Sequence, residues 1–205
     1  LSFIEKTLHE KLTVKRIASS FEVLADTYLY WKQYDLAIEN YQASLKEINN
    51  PNVRLQLAKA FYLNKNYVKS QQAYIKSLKS NSKELTAYEG LGDTYLDTKE
   101  YTKAKTSYNK ALTIAKANNI TPKITDLNSK LAEVYAKQGN NNQADKLYKN
   151  SLQLANKENP KRSLKEQEKV ADFYNKSRRY DEEITLRIES LKNTKDINTD
   201  DKETL

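Results

Sequence analysis

The side chains that could carry out chemistry in this sequence are of few kinds. Among 205 residues there is one histidine, His9, no cysteine and only three glycines, beside 27 aspartates and glutamates. This inventory does not support a Ser-His-Asp or Cys-His catalytic group, a His/Cys metal site or a glycine-rich phosphate loop. Carboxylate pairs remain, but no neighbouring residues mark a pair whose pKa values would be driven apart. We therefore expect a protein without enzymatic activity, metal or cofactor.

Composition sets the class of protein and leaves its compartment open. With 38% hydrophobic and 30% charged residues, the chain resembles soluble globular proteins. No apolar run approaches the roughly 18 residues of a membrane helix, and Glu5 and Glu10 interrupt the N-terminal segment where a signal peptide would be apolar. Without cysteine, a cytoplasmic and an extracytoplasmic location both stay possible. The shortage of glycine and proline favours helices over tight β-turns.

The elements that would position functional side chains are visible as a pattern of small and aromatic residues. A Leu or Val precedes an Ala or Gly, and an aromatic residue follows three positions later. The pattern occurs at Leu24-Ala25-Tyr28, Leu57-Ala58-Phe61, Leu91-Gly92-Tyr95, Leu131-Ala132-Tyr135 and Val170-Ala171-Tyr174. From residue 28 to 61, 95, 135 and 174, these aromatics stand 33, 34, 40 and 39 positions apart. The sequence is therefore repetitive.

Each unit also contains a second helical pattern, such as Tyr34, Ala37 and Tyr41 in the first unit. At the spacing of an α-helix, each pattern lies on one helix face, so a unit consists of two amphipathic helices. The small residue lets two backbones approach closely, and the tyrosines fill the volume beside that contact. Most tyrosines are therefore predicted to be core residues.

These residues resemble the pattern of the tetratricopeptide repeat family, W-x2-L-G-x2-Y followed by A-x3-F and P. The third unit matches at Tyr88, Leu91, Gly92, Tyr95, Ala104 and Tyr108, with tyrosine in place of Trp and Phe. The fourth unit departs at Asn141, and the fifth departs at Glu183 and Arg187. The resemblance implies an all-α fold, an α-solenoid or right-handed superhelix of antiparallel helix pairs, which serves as a scaffold for other proteins.

The repeat pattern predicts one solenoid domain over residues 1–205. Its five repeats cover residues 18–50, 51–84, 85–121, 122–160 and 161–193. Because Ile4, Leu8 and Leu12 stand 33 positions before Ala37, Tyr41 and Leu45, residues 1–17 are predicted to end a preceding repeat. Residues 194–205 are predicted to begin a following repeat or a linker. We therefore expect an array that continues beyond this sequence.

Charge differs between the two helices of a repeat. The resemblance implies that first helices line a concave surface, where the predicted partner-binding residues are Glu22, Asp26, Tyr30, Tyr62, Glu89, Asp93 and Glu133. Many lysines, by contrast, fall on second helices of a chain with net charge +8. An acidic groove would attract a peptide or helix that carries Lys or Arg. The alternative is that these acids are simply solvated, and that Tyr30 and Tyr62 seal contacts between repeats.

Three classes of function are compatible with this pattern. The first is a non-catalytic scaffold that binds a peptide or helix of a partner protein in the acidic groove. The second is a sensory or regulatory module of a larger bacterial signalling protein. Arrays with these longer units look similar to those that precede the output domains of bacterial sensor kinases and transcription regulators. The third, nucleic-acid binding, is suggested by the isoelectric point near 9.3, but the lysines are spread over the convex side and the concave side is acidic. We therefore expect no specific nucleic acid among the partners.

Overall fold

The computed structural model describes residues 3–200, with side chains placed at residue 7 and at residues 9–192. Ten α-helices follow one another in this range, and no strand lies between them. They are α1 (Phe3–Tyr30), α2 (Tyr34–Glu47), α3 (Pro51–Leu63), α4 (Tyr67–Ser80), α5 (Leu85–Asp97), α6 (Tyr101–Ala117), α7 (Thr121–Lys137), α8 (Asn141–Glu158), α9 (Pro160–Lys176) and α10 (Tyr180–Asp200). Because the connections between them are very short, the two helices of each repeat pack antiparallel. The predicted all-α fold of antiparallel helix pairs is confirmed.

The turn inside each helix pair has the same geometry in every repeat. Its middle residue takes a positive φ between 58° and 78°, at Lys32, Lys65, Lys99, Gly139 and Arg178. The backbone amide of the following residue donates a hydrogen bond to the carbonyl of the aromatic residue five positions earlier. In the first repeat this bond runs from the Gln33 amide to the Tyr28 carbonyl, at 2.8 Å. This bond closes the end of the first helix and directs the chain back along it. Glycine alone adopts such a φ without steric cost, so the other four turns carry that cost.

Asparagine and proline begin the first helix of two repeats. The side chain of Asn50 accepts a hydrogen bond from the amide of Asn52, and Pro51 occupies the first turn of α3. Helix α9 begins in the same way, with Asn159 as the N-cap and Pro160 as the first residue of the helix. An amide in the first turn has no acceptor within the helix, so proline is tolerated there and the cap satisfies a neighbouring amide. These residues therefore fix where a new repeat starts.

Contacts between helices divide the chain into two compact units, unit 1 (Leu1–Glu100) and unit 2 (Tyr101–Leu205). Unit 1 holds α1 to α5 and unit 2 holds α6 to α10. In unit 1, one apolar cluster joins α1, α2 and α3 around Ala25 and Tyr41, and another joins α3, α4 and α5 around Tyr74 and Leu91. In unit 2, a cluster around Ala132 joins helices α7 to α10. Each unit therefore has a core of its own.

The small residues of the repeat pattern are buried, as the sequence predicts. Ala25, Ala58 and Ala132 are fully buried, and Ala171 is nearly so. A further close approach was not predicted: a Cβ atom on Gly90 would overlap the ring of Tyr74. Gly90 lies on α5 and Tyr74 on α4, so this glycine allows the tyrosine of one repeat to pack against the next.

The predicted repeat starts at residues 51, 85, 122 and 161 fall within one residue of the first residues of α3, α5, α7 and α9. The predicted start at residue 18 lies inside α1, which runs without a break from Phe3 to Tyr30. The assignment of residues 1–17 to a preceding repeat stays a prediction, as does the single domain over residues 1–205. Part of the predicted segment 194–205 lies outside the described residues.

Candidate protein-binding face

The predicted carboxylates on α1 both accept hydrogen bonds from neutral groups of the same unit. The hydroxyl of Tyr41 on α2 donates to Oδ1 of Asp26. Oε1 of Glu22 lies 3.3 Å from the hydroxyl of Ser44 and 3.3 Å from the side-chain amide of Asn50. Hydroxyl and amide donors orient a carboxylate, but they carry no charge that would cancel its own. Asp26 is exposed and Glu22 is half-buried, so a negative charge remains near the surface of α1.

Tyr62 forms a similar pair one repeat further along. Its hydroxyl donates to Oδ2 of Asp97 at 2.8 Å, which links the end of α3 to the end of α5. Burial, followed by this hydrogen bond, raises the pKa of Tyr62 well above its ordinary value of 10.0. The phenol therefore stays neutral at physiological pH. Asp97 is exposed and was missed by the sequence analysis, although it stands 35 positions after Tyr62, close to one repeat length.

Glu89 and Asp93 lie one turn apart on α5 and are half-buried. Burial, then the charge of Asp93 and the charge of Glu89, raise the pKa of Tyr74 on α4. These two carboxylates therefore lie close enough to α4 to act on its buried tyrosine. With Glu22, Asp26 and Asp97 they form a set of five carboxylates on the first helices α1 and α5. We name this set the acidic face of unit 1, after the concave surface that the family resemblance predicts.

The predicted aromatic residues have different environments. Tyr30, at the end of α1, is 83% exposed. The next residue, Trp31, is also exposed, and its ring lies 6.3 Å from that of Tyr28 in an edge arrangement. Tyr62 instead is half-buried, with its ring 6.0 Å from that of Tyr67. Tyr30 is thus open to solvent, whereas Tyr62 is held in place by Asp97 and Tyr67.

Glu133 belongs to unit 2, where its surroundings differ from those of the α1 carboxylates. It lines a cavity of about 640 Å³ bounded by α7, α9 and the start of α8. The charged residues of that cavity are Lys130, Glu133, Lys137, Lys169, Asp172 and Lys176. Of these residues, the sequence analysis singled out only Glu133. The lysines could have been found, because Lys137 and Lys176 follow Glu133 and Asp172 at the same spacing of four.

Other carboxylates of unit 2 face cations. Asp145 lies 2.8 Å from Nζ of Lys149 and 2.9 Å from Nη1 of Arg179. Burial alone would raise the pKa of Asp145, but hydrogen bonds from Lys149, Tyr174 and Arg179 outweigh it and lower that pKa. Glu166 is 2% exposed, accepts hydrogen bonds from Ser129 and Ser151, and lies 3.0 Å from Nζ of Lys169. The negative charges of Asp145 and Glu166 are therefore largely cancelled by neighbouring Lys and Arg side chains of unit 2.

Two further properties concern residues 3–200. None of the helices there combines the length and the apolar composition that crossing a bilayer requires. The same part of the chain holds no group of three His, Cys, Asp or Glu side chains placed to bind a metal ion.

Many solved structures resemble the chain, and three of them serve as examples. BtubC (BKLC) from P. vanneervenii aligns with a TM-score of 0.78 and 13% identity over 95% of this chain and 86% of that one. Repeats of a putative kinesin light chain from Podosopora anserina align with a TM-score of 0.76 and 15% identity over 91% and 98%. A Rap protein complexed with Competence and Sporulation Factor aligns with a TM-score of 0.71 and 15% identity over 88% and 54%. At these identities the likeness establishes the fold alone.

Sequence comparison identifies the family. Models described as tetratricopeptide repeat match residues 18–50, 85–118 and 127–162, together about half of the chain. No curated protein sequence matches it. Tetratricopeptide repeats are in general scaffolds for protein–protein interaction. Together with the helix pairs and their buried small residues, these matches show that the chain belongs to the tetratricopeptide repeat family.

Proposed function

We propose that the chain is a non-catalytic scaffold whose acidic face in unit 1 binds a peptide or helix carrying Lys or Arg. The observation that carries this proposal is the type of donor at Glu22, Asp26 and Asp97. Each of these carboxylates accepts hydrogen bonds from hydroxyl or amide groups. Their positions are fixed, yet their charge is left for a partner to neutralise.

A cationic segment would gain from this arrangement in two ways. Carboxylates held in place require no reorganisation when a Lys or Arg side chain arrives, and several like charges on one face accelerate the encounter. Tyr62 adds an aromatic ring beside Asp97, and such rings often anchor an apolar or cationic side chain. Tyr30 offers a second, exposed ring on α1. Glu133 stays a proposed contact in unit 2, where it lies beside Lys137 in the cavity.

A regulatory module is the second candidate function. One of the structural neighbours is a Rap protein complexed with Competence and Sporulation Factor, so a protein of similar fold holds a bound factor. In such a role the acidic face would serve the same purpose, since the bound segment would be a signal or another part of a larger protein. The chemistry of that segment, rather than its source, is what the acidic face specifies.

Matched peptides test the proposal. We would measure the affinity of an amphipathic Lys/Leu peptide and of its Glu/Leu counterpart for the chain and for the variant Asp26→Asn/Asp97→Asn. Asparagine keeps an oxygen that accepts from Tyr41 and Tyr62, so only the two charges are removed. The Lys/Leu peptide should bind, and the variant should lose affinity roughly fivefold to tenfold, about 1–1.4 kcal/mol. The Glu/Leu peptide should not bind this face.

The control removes the same number of charges from another helix. Glu39 and Glu47 are exposed on α2, and the variant Glu39→Gln/Glu47→Gln has the same net charge as the first. Its affinity for the Lys/Leu peptide should stay within about twofold of the unaltered chain, because exposed charges beyond a Debye length of about 8 Å are screened at physiological salt. Equal losses in the two variants would show that only net charge attracts the peptide, and the proposed face would be wrong.

A further inference from the structure

The cavity of about 640 Å³ in unit 2 is lined twice by the same set of charged residues. The set is Lys130, Glu133 and Lys137 on α7, and Lys169, Asp172 and Lys176 on α9. In both sets the acid follows the first lysine by three positions and precedes the second lysine by four. At these spacings the three side chains lie on one face of a helix. Two first helices therefore present the same pattern, lysine, acid and lysine, to one cavity.

The first lysine of each set has a partner within unit 2. Nζ of Lys169 lies 3.0 Å from Oε2 of Glu166. Nζ of Lys130 lies 5.7 Å from the centroid of the Tyr108 ring. These two lysines therefore contribute to the packing of unit 2 itself.

The acid and the second lysine of each set have a different environment. Glu133 and Asp172 each stand four residues before a lysine, the spacing at which an acid and a lysine pair along a helix. Neither forms that pair: among the described residues, the side chains of Glu133, Lys137 and Lys176 make no ion pair or hydrogen bond, and Asp172 has only Arg187, at 3.6 Å. The two acids and these two lysines are all exposed. The cavity therefore offers both a positive and a negative charge to a ligand.

Tyr148 on α8 supplies a polar group to the same cavity. It is 7% exposed, and its hydroxyl makes no hydrogen bond to any described residue. Burial, followed by the charges of Glu133, Glu166 and Asp172, raises the pKa of Tyr148 well above its ordinary value of 10.0. Because two of these acids line the cavity, the hydroxyl end of the ring lies near it. A neutral hydroxyl without a protein partner is available to a ligand.

Aromatic rings form the apolar part of the lining. Phe173 lines the cavity beside Tyr148, with the two ring centroids 5.0 Å apart, and Ala136 adds a small apolar side chain. A cavity of several hundred Å³ that combines an apolar wall with a few charged groups is typical of sites for small molecules. The wall indicates a ligand with an apolar side chain.

We infer that this cavity binds a zwitterion, a free α-amino acid with an apolar side chain. Its carboxylate faces Lys137 and Lys176, whose flexible stems let the ammonium groups converge on it. Its ammonium group faces Glu133 and Asp172, with the hydroxyl of Tyr148 as a further acceptor. A simple carboxylic acid leaves the two acids without a cation, and a simple amine leaves the two lysines without an anion. A peptide end carries only one of the two charges, so the free amino acid is the best match.

This site goes beyond the function proposed above. None of its residues belongs to the acidic face of unit 1, and Glu133 alone is shared with the proposed contacts of a cationic segment. The variant Asp26→Asn/Asp97→Asn should therefore bind an amino acid as the unaltered chain does. Failure of either proposal leaves the other standing.

Derivatives of one amino acid test the inference. We would use isothermal titration calorimetry with L-phenylalanine, with L-phenylalaninamide, which has no carboxylate, and with N-acetyl-L-phenylalanine, which has no ammonium group. L-phenylalanine should bind with a dissociation constant below about 1 mM, and each derivative should bind roughly tenfold more weakly. The two derivatives also represent the first and the last residue of a peptide. If either binds as tightly as L-phenylalanine, the cavity takes a peptide end, and the inference is overturned.

Two double variants assign the charges. Lys137→Gln/Lys176→Gln should bind L-phenylalanine no better than its amide, because the partner of the carboxylate is gone. Glu133→Gln/Asp172→Asn should bind L-phenylalanine no better than the N-acetyl derivative, because the partner of the ammonium group is gone. A loss of preference of this kind does not follow from a merely structural change.

Tyr148→Phe separates binding from stability. It removes the hydroxyl and keeps the ring, so L-phenylalanine should bind about threefold more weakly. Because that hydroxyl makes no hydrogen bond to any described residue, urea denaturation should show an unchanged unfolding free energy. Unchanged affinity in this variant would contradict the part assigned to Tyr148.

The control is Lys146→Gln/Lys157→Gln, which removes two exposed lysines of α8 that do not line the cavity. It has the same net charge as Lys137→Gln/Lys176→Gln and should bind L-phenylalanine as the unaltered chain does. Circular dichroism should show that every variant is folded. The inference is overturned if the control loses as much affinity as the cavity variant, or if the cavity variant still prefers L-phenylalanine to its amide. It is equally overturned if neither L-phenylalanine nor L-leucine binds the unaltered chain.

Discussion

In unit 1 the carboxylates of Glu22, Asp26 and Asp97 accept hydrogen bonds from hydroxyl and amide groups, whereas in unit 2 those of Asp145 and Glu166 face Lys and Arg. Both arrangements give the carboxylate oxygen atoms hydrogen-bond donors. Only the second cancels the charge, because a neutral donor orients a carboxylate without neutralising it. These carboxylates of the two units therefore differ in whether their charge is cancelled, although both units have acids on their first helices.

The difference shows that the number of acids on a helix face does not determine how negative that face is. Glu133 and Asp26 are both exposed, yet the cavity that Glu133 lines also contains Lys130, Lys137 and Lys169. The charge available to a partner depends on which groups of the neighbouring helices contact each carboxylate. We propose that unit 1 binds a cation, whereas Asp145 and Glu166 of unit 2 pair with Lys and Arg side chains of the same unit.

The largest difference between the units should be the loss of unfolding free energy when Glu166 or Glu22 is replaced. Each accepts a hydrogen bond from the serine at one repeat position, Ser151 for Glu166 at 2.7 Å and Ser44 for Glu22 at 3.3 Å. Glu166→Ala leaves buried hydroxyl groups and a lysine without their acceptor, which should cost about 3 kcal/mol of unfolding free energy. Glu22→Ala, in a half-exposed site, should cost less than about 1 kcal/mol. Urea denaturation measures both, and equal losses would contradict the comparison.

Arg179 should give the next largest effect. It pairs with Asp145 and Glu182, and its guanidinium lies 4.5 Å from the centroid of the Tyr174 ring. Because the side chain is about one-third exposed, we expect Arg179→Ala to lower the unfolding free energy by only about 1–2 kcal/mol. The equivalent residue of the first repeat is Gln33, whose side chain makes no capping bond. Gln33→Ala should change stability by less than about 0.5 kcal/mol in the same denaturation experiment.

The turns provide a prediction that should hold equally in both units. Lys99 in unit 1 and Gly139 in unit 2 occupy the same position, with φ of 62° and 78°. Lys99→Gly relieves a steric cost and should raise the unfolding free energy by up to about 1 kcal/mol. Gly139→Ala introduces that cost and should lower it by about 1 kcal/mol. If thermal melts show that Lys99→Gly destabilises the protein, or that Gly139→Ala stabilises it, the turns do not share one backbone conformation.

The smallest expected effect is the loss of stability when Asp145 is protonated at acid pH. Its pKa is lowered from the ordinary 3.8 in the folded protein. The contribution of Asp145 to stability is therefore fully present above that ordinary value and is lost as the pH falls through the lowered one. Carbon-detected NMR of the side-chain carboxyl should give a midpoint below 3.8. In Arg179→Ala the midpoint should move upward. An unchanged midpoint would mean that Arg179 does not hold this carboxylate.

Much of the fold follows from the sequence, because a repeat of small and aromatic residues fixes helix faces within each repeat. That pattern places Ala25, Ala58 and Ala132 in the core without knowledge of any partner helix. It does not reveal Gly90, whose small size is required by Tyr74 of the preceding repeat. Contacts of this kind depend on how two repeats pack together, and spacing along one helix contains no information about them.

The candidate site was predicted less completely for the same reason. Glu22, Asp26 and Tyr62 were identified as surface residues of first helices, but their donors and acceptors come from other helices. Asp97 was missed because its importance depends on the hydroxyl of Tyr62, one repeat away. The partner-binding role of the seven predicted residues stays a proposal, and the geometry supports it most strongly for Asp26 and Tyr62.

The central claim is that Glu22, Asp26 and Asp97 of the acidic face keep their charge for a partner, and residue-level mapping of a bound cation tests it most directly. We would titrate the Lys/Leu peptide into the isotope-labelled chain and follow backbone amide shifts by NMR. The largest shifts should lie on α1, α3 and α5, around Asp26, Tyr62 and Asp93, and they should shrink as salt is raised. Largest shifts around Glu133 and Asp172 in unit 2, or on the lysine-bearing surface of α4, would contradict the account.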